Sequence, residues 1–451
     1  MTNSGVTSDT IVALASGGGT AAVALIRVSG PRAVEIADRA STGAAGTATE
    51  RRATRAKIRD SEGRTIDDVL LTVFRGTRSF TGEPVVEIAC HGGRLITRRI
   101  VERLLDCGAR PAGPGEFTER AFLNGKLDLT QAEAVMDLIS AQSDLALRAA
   151  HEQLEGGIGR QTGALREELI GLVAHLEAFI DFPEEDIDPD TGERFKARID
   201  DVRGGIARLL ATAEQGRILR EGVRTVICGR PNAGKSSLLN LLLGSERAIV
   251  SDEAGTTRDT IEEMIVLDGV PLRLVDTAGL RGEAGGVERE GMRRTLLEAG
   301  RADLLLVVRD ASLPPAGSEV DLPDGPARVV GVLNKCDLGE HPDWAGRPGV
   351  RLSCTGGDGL EPLRQEIRAA LDLGEADWGE HAVAINTRHR DCLRRADEAL
   401  ASAAVLLANG AAPELGALEL RAALEALGEI SGKVDTEEIL GAIFSRFCIG
   451  K

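Results

Sequence analysis

Gly229-Arg230-Pro231-Asn232-Ala233-Gly234-Lys235-Ser236 is the stretch on which the fold turns. It fits G-x-x-x-x-G-K-[ST] and directly follows the apolar run Val223–Cys228, with Leu238–Leu243 available as a helix behind it. The strand, turn and helix required of a phosphate-binding loop are therefore all present. Glycines let main-chain N–H groups wrap phosphate oxygens, Lys235 neutralises the β and γ groups, and the Ser236 hydroxyl can ligate Mg2+. A Gly-rich turn without a ligand is the bland alternative. Strand–turn–helix alternation continues to about Leu371, with buried-strand candidates at Leu272–Val275, Leu304–Val308 and Val329–Leu333. That pattern implies an α/β domain with a mostly parallel sheet.

Three further elements follow in order. Asp276-Thr277-Ala278-Gly279 comes after a second strand, where an Asp can hold the Mg2+ shell and a Gly amide can sense the γ-phosphate. Asn334-Lys335-Cys336-Asp337, after another, fits the N-K-x-D signature of guanine binding. Asp337 can accept from guanine N1–H and the 2-amino group, whereas adenine offers neither donor and would leave a carboxylate unpaired, so GTP is expected over ATP. Ser353-Cys354-Thr355, after Val350–Leu352, resembles the last nucleotide-binding loop of G proteins. Ala254-Gly255-Thr256-Thr257-Arg258-Asp259 lies where such proteins place switch I, and Thr257 is the candidate for a second hydroxyl on Mg2+. Leu280 stands where Ras-type proteins carry a water-orienting Gln, so catalysis must recruit another group; Glu283, Glu288 and Glu290 are the acidic candidates downstream.

Working outward, Thr10 to Phe122 mixes short apolar runs with Gly- and Pro-rich turns. Val23–Val28 and Val85–Ala89 read as strands and Ile96–Leu105 as a helix, giving a small α+β domain. Thr130 with Glu133 forms a capping-box signature ahead of a long amphipathic helix through Ala149. A second helix runs from Leu165 to Ile180 and stops at Asp181-Phe182-Pro183, before the acidic loop Glu184–Asp190; another ends near Arg220. Ala/Leu-rich helical spacing returns from Ala382. The expected architecture is multidomain α+β and α/β: a small N-terminal α+β domain (1–122), a discontinuous helical domain (123–220 and 376–451) and an inserted Ras-like P-loop GTPase domain (221–375).

Composition bounds the function. With 71 acidic against 54 basic residues and a formal charge of −17, nonspecific phosphate binding over the whole surface is not expected, and any nucleic-acid contact needs a local basic patch. Tyr is absent and only 2% of residues are aromatic, which argues against a large base-stacking platform. The seven cysteines are odd in number, widely spaced and lack a C-x-x-C pair, disfavouring a disulfide framework or zinc site and pointing to a reducing cytosol. No apolar run approaches the roughly 18 residues of a membrane span, and Met1–Asp9 lacks the order of a signal peptide, so a cytoplasmic location is expected.

These motifs, with Asp181-Phe182-Pro183-Glu184-Glu185 and the C-terminal Phe447-Cys448-Ile449-Gly450-Lys451, resemble the tRNA uridine-5-carboxymethylaminomethyl modification GTPases, the MnmE/TrmE family. Ile26-Arg27-Val28-Ser29-Gly30, Phe80-Thr81-Gly82-Glu83, Cys90-His91-Gly92-Gly93 and the run Gly115-Glu116-Phe117-Thr118-Glu119-Arg120-Ala121-Phe122-Leu123-Asn124-Gly125-Lys126-Leu127-Asp128 carry the resemblance beyond the GTPase region. It implies GTP contacts from Asn232-Ala233-Gly234-Lys235-Ser236-Ser237, Ser251-Asp252-Glu253-Ala254-Gly255-Thr256-Thr257, Asp276-Thr277-Ala278-Gly279, Asn334, Lys335, Asp337 and Ser353-Cys354-Thr355. It implies Mg2+ on Ser236 and Thr257, and K+ on Asn232, Ser251, Glu253 and Thr256, a cation beside the bridging oxygen stabilising leaving-group charge. Glu288 would orient the attacking water, with Lys235 the other catalytic residue.

The resemblance further implies a homodimer joined through the N-terminal domains and an FAD-containing MnmG/GidA-type partner in a heterotetramer or larger. The substrate would be the wobble uridine of tRNA, and a tetrahydrofolate derivative (5-formyl or 5,10-methylene form) would be held by Arg27, Glu87, Lys126 and Lys451. Cys448 reads either as a reactive thiol near that folate or as a small apolar side chain, and His91 as a hydrogen-bonded strand-end histidine. Ser16–Ala22 replaces the family's Pro-Pro-Gly-x-Gly-Gly-like stretch and Phe80 its common Tyr, both bearing on the folate pocket. Two rivals share some of these features: a ribosome-assembly regulatory GTPase binding rRNA, of the Era or Der type, and a folate-dependent aminomethyltransferase acting alone. The first predicts a basic RNA-binding module, and no KH-type G-x-x-G context is present; the second leaves the GTPase region idle.

Overall fold

The computed structural model describes residues 9–181, 193–245, 263–275, 297–316, 322, 327–371, 385–409, 412–433, 437–445 and 447–450. They fall into two compact units. One takes in the chain through Met136, Leu154–Arg203 and Cys392 onward; the other takes in Asp137–Gln153 and Gly204–Asp391.

The first unit opens with β1 (Ile11–Leu14), β2 (Ala21–Ser29), α1 (Ala33–Ser41), α2 (Ala44–Thr47), β3 (Thr54–Arg59), β4 (Thr65–Phe74), β5 (Val85–Gly92), α3 (Arg94–Asp106), β6 (Arg110–Pro111) and α4 (Glu116–Leu123). The strands form one six-stranded sheet in the order β3-β4-β5-β2-β1-β6, antiparallel except where β6 joins β1. Sequence periodicity identifies β2, β5 and α3. It misses β3 and β4, whose buried Ala56, Ile58, Val69, Leu71 and Val73 alternate with Arg55, Lys57, Asp68 and other residues on the opposite face. Ile26, Val28 and Ile88 meet Ile36 of α1 and Ile100 and Leu104 of α3 in a fully buried core.

The expected long helix from Thr130 is in fact two, α5 (Leu129–Ser140) and α6 (Asp144–Leu154). The Ser143 hydroxyl, which accepts from the Ala146 N–H at 3.1 Å, starts a fresh helix and explains the break. The capping box also sits two residues earlier than the sequence pattern places it. Asp128 Oδ1 accepts from Gln131 N–H at 2.9 Å, while Gln131 Oε1 accepts from Asp128 N–H at 3.0 Å. Three helices follow: α7 (Gly157–Asp181), α8 (Glu193–Ala211) and α9 (Ala213–Glu221).

The second unit is built on β7 (Val223–Gly229), α10 (Lys235–Ser245), β8 (Glu263–Leu267), β9 (Val270–Val275), β10 (Leu304–Asp310), β11 (Arg328–Asn334), β12 (Val350–Arg351) and α11 (Leu360–Ala370). Its strand order is β12-β11-β10-β7-β9-β8, parallel but for β8 against β9. Both faces are buried, as such a sheet requires: Ile227 joins Leu238, Leu239 and Leu306 in one cluster, while Val226 and Cys228 join Ala299 and Val307 in another.

The chain ends in α12 (Thr387–Ala408), α13 (Pro413–Ser431) and α14 (Glu437–Phe444), and α13 packs against α7, with Arg421 and Glu177 paired at 2.6 Å. Beyond α14, Phe447–Gly450 dock on the N-terminal sheet region. Gly115 N–H donates to Cys448 O at 3.3 Å, and Gly450, at φ +105°, sits so close to β1 that a Cβ there would lie 2.1 Å from Leu14 O. Among the described residues no helix is long and apolar enough to cross a membrane.

Candidate functional site

β7 ends at Gly229 and α10 begins at Lys235, so residues 230–234 form a turn at the carboxyl end of a central parallel strand, where open α/β sheets bind ligands. Gly234, at φ +100°, backs directly onto β11: a Cβ would sit 2.0 Å from Asn334 Nδ2. Asn232 takes a left-handed φ of +62°, a conformation Asn tolerates better than most side chains. Asn232, Ser236 and Ser237 are exposed, while Ala233 is buried. Lys235 Nζ donates to Arg230 O at 2.9 Å, which holds the ammonium at the turn itself. The N–H groups opening α10 lie at the same turn, so the geometry suits an anion.

Asn334, at the end of β11, is 2% exposed. Its Nδ2 donates to Ala233 O at 3.0 Å and its Oδ1 accepts from Cys354 N–H at 3.2 Å. One side-chain amide thereby ties the phosphate-type loop to both downstream loops. Lys335 Nζ donates to Asp310 Oδ2 at 2.6 Å, and Ser312 N–H and Oγ donate to Asp310 Oδ1 at 3.0 and 2.6 Å. Burial pushes the Asp310 carboxyl up, but these bonds outweigh it and leave the group below its ordinary value. Ser353 N–H donates to Asp358 O at 2.9 Å and its hydroxyl accepts from Gly356 N–H at 3.1 Å, fixing the last loop; Thr355 and Asp337 are exposed. Burial, with the nearby Asp337 charge adding to it, pushes the Cys354 thiol up to about 11, so it stays neutral at physiological pH. Sequence reasoning named Asn334 and Lys335 from their motif but missed the tethering role of Asn334 and the Asp310 partner, whose only signal is its position at a strand end.

Ser251 through Thr257, Asp276 through Gly279, Leu280, Glu283, Glu288, Glu290 and Lys451 lie outside the described residues, as does the acidic loop Glu184–Asp190.

In the first unit, Arg27 and Glu87 face each other across β2 and β5 and pair at 2.8 Å. The Arg27 guanidinium lies 5.1 Å from the Phe80 ring centre and 5.7 Å from that of Phe117. Lys126 Nζ donates to Thr77 O at 3.3 Å, and its stem runs beside Gly82, where a Cβ would meet Lys126 Cγ at 3.2 Å. One turn, Thr77–Gly82, therefore touches both Arg27 and Lys126. Behind it Arg120, only 2% exposed, bonds Asp9 and Glu116 at 2.8 and 2.9 Å and reaches Glu83 at 3.3 Å. In the sequence Arg120 is only one residue of the run Gly115–Asp128, since nothing in the spacing marks an arginine as buried. Cys448 is exposed, and His91 Nδ1 lies 2.7 Å from Asp67 Oδ1 at the strand end.

Residues 129–448 match the model of the MnmE helical domain and residues 10–126 that of the GTP-binding protein TrmE N-terminus. The chain is 52% identical over 449 residues to the tRNA modification GTPase MnmE of Akkermansia muciniphila, covering 98% of this chain and 99% of that one. The chain belongs to the MnmE family. Proteins of the same description from Xanthomonas campestris pv. campestris and Symbiobacterium thermophilum are 47% and 46% identical, each over 98% of this chain and 99% of theirs. As an MnmE-family GTPase the chain is a hydrolase, and its fold is the one expected: an N-terminal α+β domain, a helical domain and a P-loop α/β fold.

Proposed function

We propose that this MnmE-family chain is the potassium-dependent GTPase that, as a cytoplasmic homodimer with an FAD-containing MnmG/GidA-type partner, installs an aminomethyl or carboxymethylaminomethyl group at C5 of the tRNA wobble uridine. The one-carbon unit would come from a tetrahydrofolate derivative. The observation that carries this reading is the end-to-end likeness to proteins named tRNA modification GTPase. The exposed turn at 230–234, with Lys235 held at it, supports the GTP end of the reaction.

In this reading Lys235 and the N–H groups of residues 232–237 hold the β and γ phosphates, and Asp337 reads guanine beside Asn334, Lys335 and Ser353-Cys354-Thr355. Ser236, exposed at the start of α10, would hold Mg2+ with Thr257; an exposed hydroxyl is a suitable hard oxygen donor. Asn232, with Ser251, Glu253 and Thr256, would hold K+, and its exposed amide oxygen at a left-handed apex suits a weakly hydrated cation. Together the two cations supply neutralisation of charge building on the phosphates. Glu288 orients the attacking water, which Leu280 cannot do. Arg27, Glu87 and Lys126, with Lys451, offer the folate carrier charged partners flanked by two aromatic rings, a donor set that fits a flat heterocycle ending in carboxylates.

GTP hydrolysis in K+ buffer is expected to exceed that in Na+ buffer at matched ionic strength by at least roughly tenfold, as for a missing electrostatic stabiliser of the transition state, and Asn232→Ala should erase the difference. Equal rates in the two salts would remove K+ from the mechanism. Asp337→Asn is expected to cut kcat/KM for GTP by about 100-fold, because the new amide donor opposes guanine's own donors. The same variant should turn over xanthosine triphosphate, whose C2 carries an acceptor oxygen; unchanged GTP preference would take Asp337 out of base recognition.

A further inference from the structure

With a formal charge of −17, the chain can dock a polyanion only where basic groups outnumber their carboxylate partners. Two clefts of the first unit meet that condition. The first, 490 Å³, has Arg51, Arg75 and Arg78 in its lining against the single carboxylate of Glu50, which lies 3.8 Å from Arg51. Arg75 donates to the carbonyls of Ala45, Gly46 and Ala48, and Arg51 to the carbonyl of Arg78. Main-chain oxygens thus fix these two guanidinium groups in place without cancelling their charge. The second cleft, 540 Å³, has Lys126, Arg166 and Lys433 in its lining. Its carboxylate, Asp128, is already engaged by the Thr130 hydroxyl and the Gln131 N–H, and Arg166 Nε is buried with no hydrogen-bond partner among the described residues.

Lys126 joins the two. It lines the second cleft, and its Nζ bonds the carbonyl of Thr77, which lines the first. At Gly76, Gly125 and Gly163 an added Cβ would meet no atom within 4 Å, so the floor is open to a close-lying chain. A single phosphate or a mononucleotide would use one cleft; an extended run of phosphates uses both. Among the described residues Phe122 is the one aromatic side chain in either lining, which favours contact with backbone over stacking on bases.

We infer that the five cations Arg51, Arg75, Arg78, Arg166 and Lys433, on either side of Lys126 of the folate set, form the surface on which the sugar–phosphate backbone of tRNA docks. The inference rests on the tRNA reading above and assigns the residues that make the contact. The test is tRNA binding by the full-length protein, followed by fluorescence anisotropy across a KCl series, for wild type, Arg78→Glu, Lys433→Glu and the double variant. Arg98→Glu on α3, exposed and paired within its own helix to Glu102, is the control. Each reversal on the track should weaken binding by about 3–10-fold and flatten the plot of log K against log salt by about one unit. The control, the melting temperature and RNA-free GTP hydrolysis should not move. Wild-type affinity and slope in the double variant, or equal weakening by Arg98→Glu, overturns the inference alone. Failure of the wild type to bind tRNA overturns the tRNA reading and the inference with it.

Discussion

Gly234→Ala is expected to lower GTP affinity by about 100-fold while leaving the sheet of the second unit folded. At φ +100° an L side chain is strained by about 1–2 kcal/mol. The added methyl would also lie 2.0 Å from Asn334 Nδ2, so the loop must retreat from Asn334 or push it aside. Either movement breaks the 3.0 Å bond to Ala233 O and leaves a buried amide without its acceptor, a further cost of about 1–3 kcal/mol. The loop relaxes to a shape that no longer presents its N–H groups, and the sum of about 3 kcal/mol appears as lost affinity. Isothermal titration with GTP, alongside circular dichroism, checks it. Wild-type affinity would mean the loop in solution stands away from Asn334.

Arg120→Met is expected to destabilise the first unit by about 3–5 kcal/mol, lowering its melting transition by about 10 °C. The arginine is 2% exposed, and removing it leaves Glu83, 11% exposed, with the Ser29 hydroxyl but no guanidinium beside it; Glu116, 13% exposed, loses one of its two arginines and keeps Arg110 and the Gly113 N–H, and Asp9, 41% exposed, keeps Arg110 and its water and contributes least. Burial pushes Glu116 up, but Arg110, the Gly113 N–H and Arg120 outweigh it, so its folded pKa lies below the unfolded value. Its contribution is therefore fully present above the unfolded value of about 4.3 and is lost as pH falls through the lower folded one. Wild type should lose stability on acidification through that window, and the variant should lose less. Identical melting curves for both proteins at pH 7 would mean that the buried pair is stabilised by something other than this contact.

The parts of the molecule that chemistry dictates by local spacing were legible in the sequence. Gly229 to Ser236 needs its glycines, its lysine and its flanking strand and helix in fixed order, and β7, β9, β10 and β11 were read from runs of consecutive apolar residues because a parallel sheet buries both faces. The N-terminal sheet was half hidden, since β3 and β4 bury one face and carry charges such as Arg55, Lys57 and Asp68 on the other. The split between α5 and α6 was lost because a serine cap inside an apolar pattern looks like any other polar position. At the site, residue identities were readable and partnerships were not. No spacing rule announces that Asn334 reaches back to Ala233, that Lys335 finds Asp310, or that Thr77–Gly82 brings Lys126 and Arg27 to one turn.

The seating of Phe447–Gly450 against Gly115 and Leu14 also sets a schedule for synthesis. β1 and β2 leave the ribosome early, yet the neighbours that close over Leu14 and Gly115 emerge after the entire second unit has been translated. At about 5–20 residues per second that interval is on the order of tens of seconds, long for a nascent sheet to wait with one flank uncovered. A slowed ribosome or a stalled message would prolong this exposure and leave the unfinished N-terminal sheet to chaperones, whereas the strand-and-helix unit between can complete its own sheet within its stretch of translation.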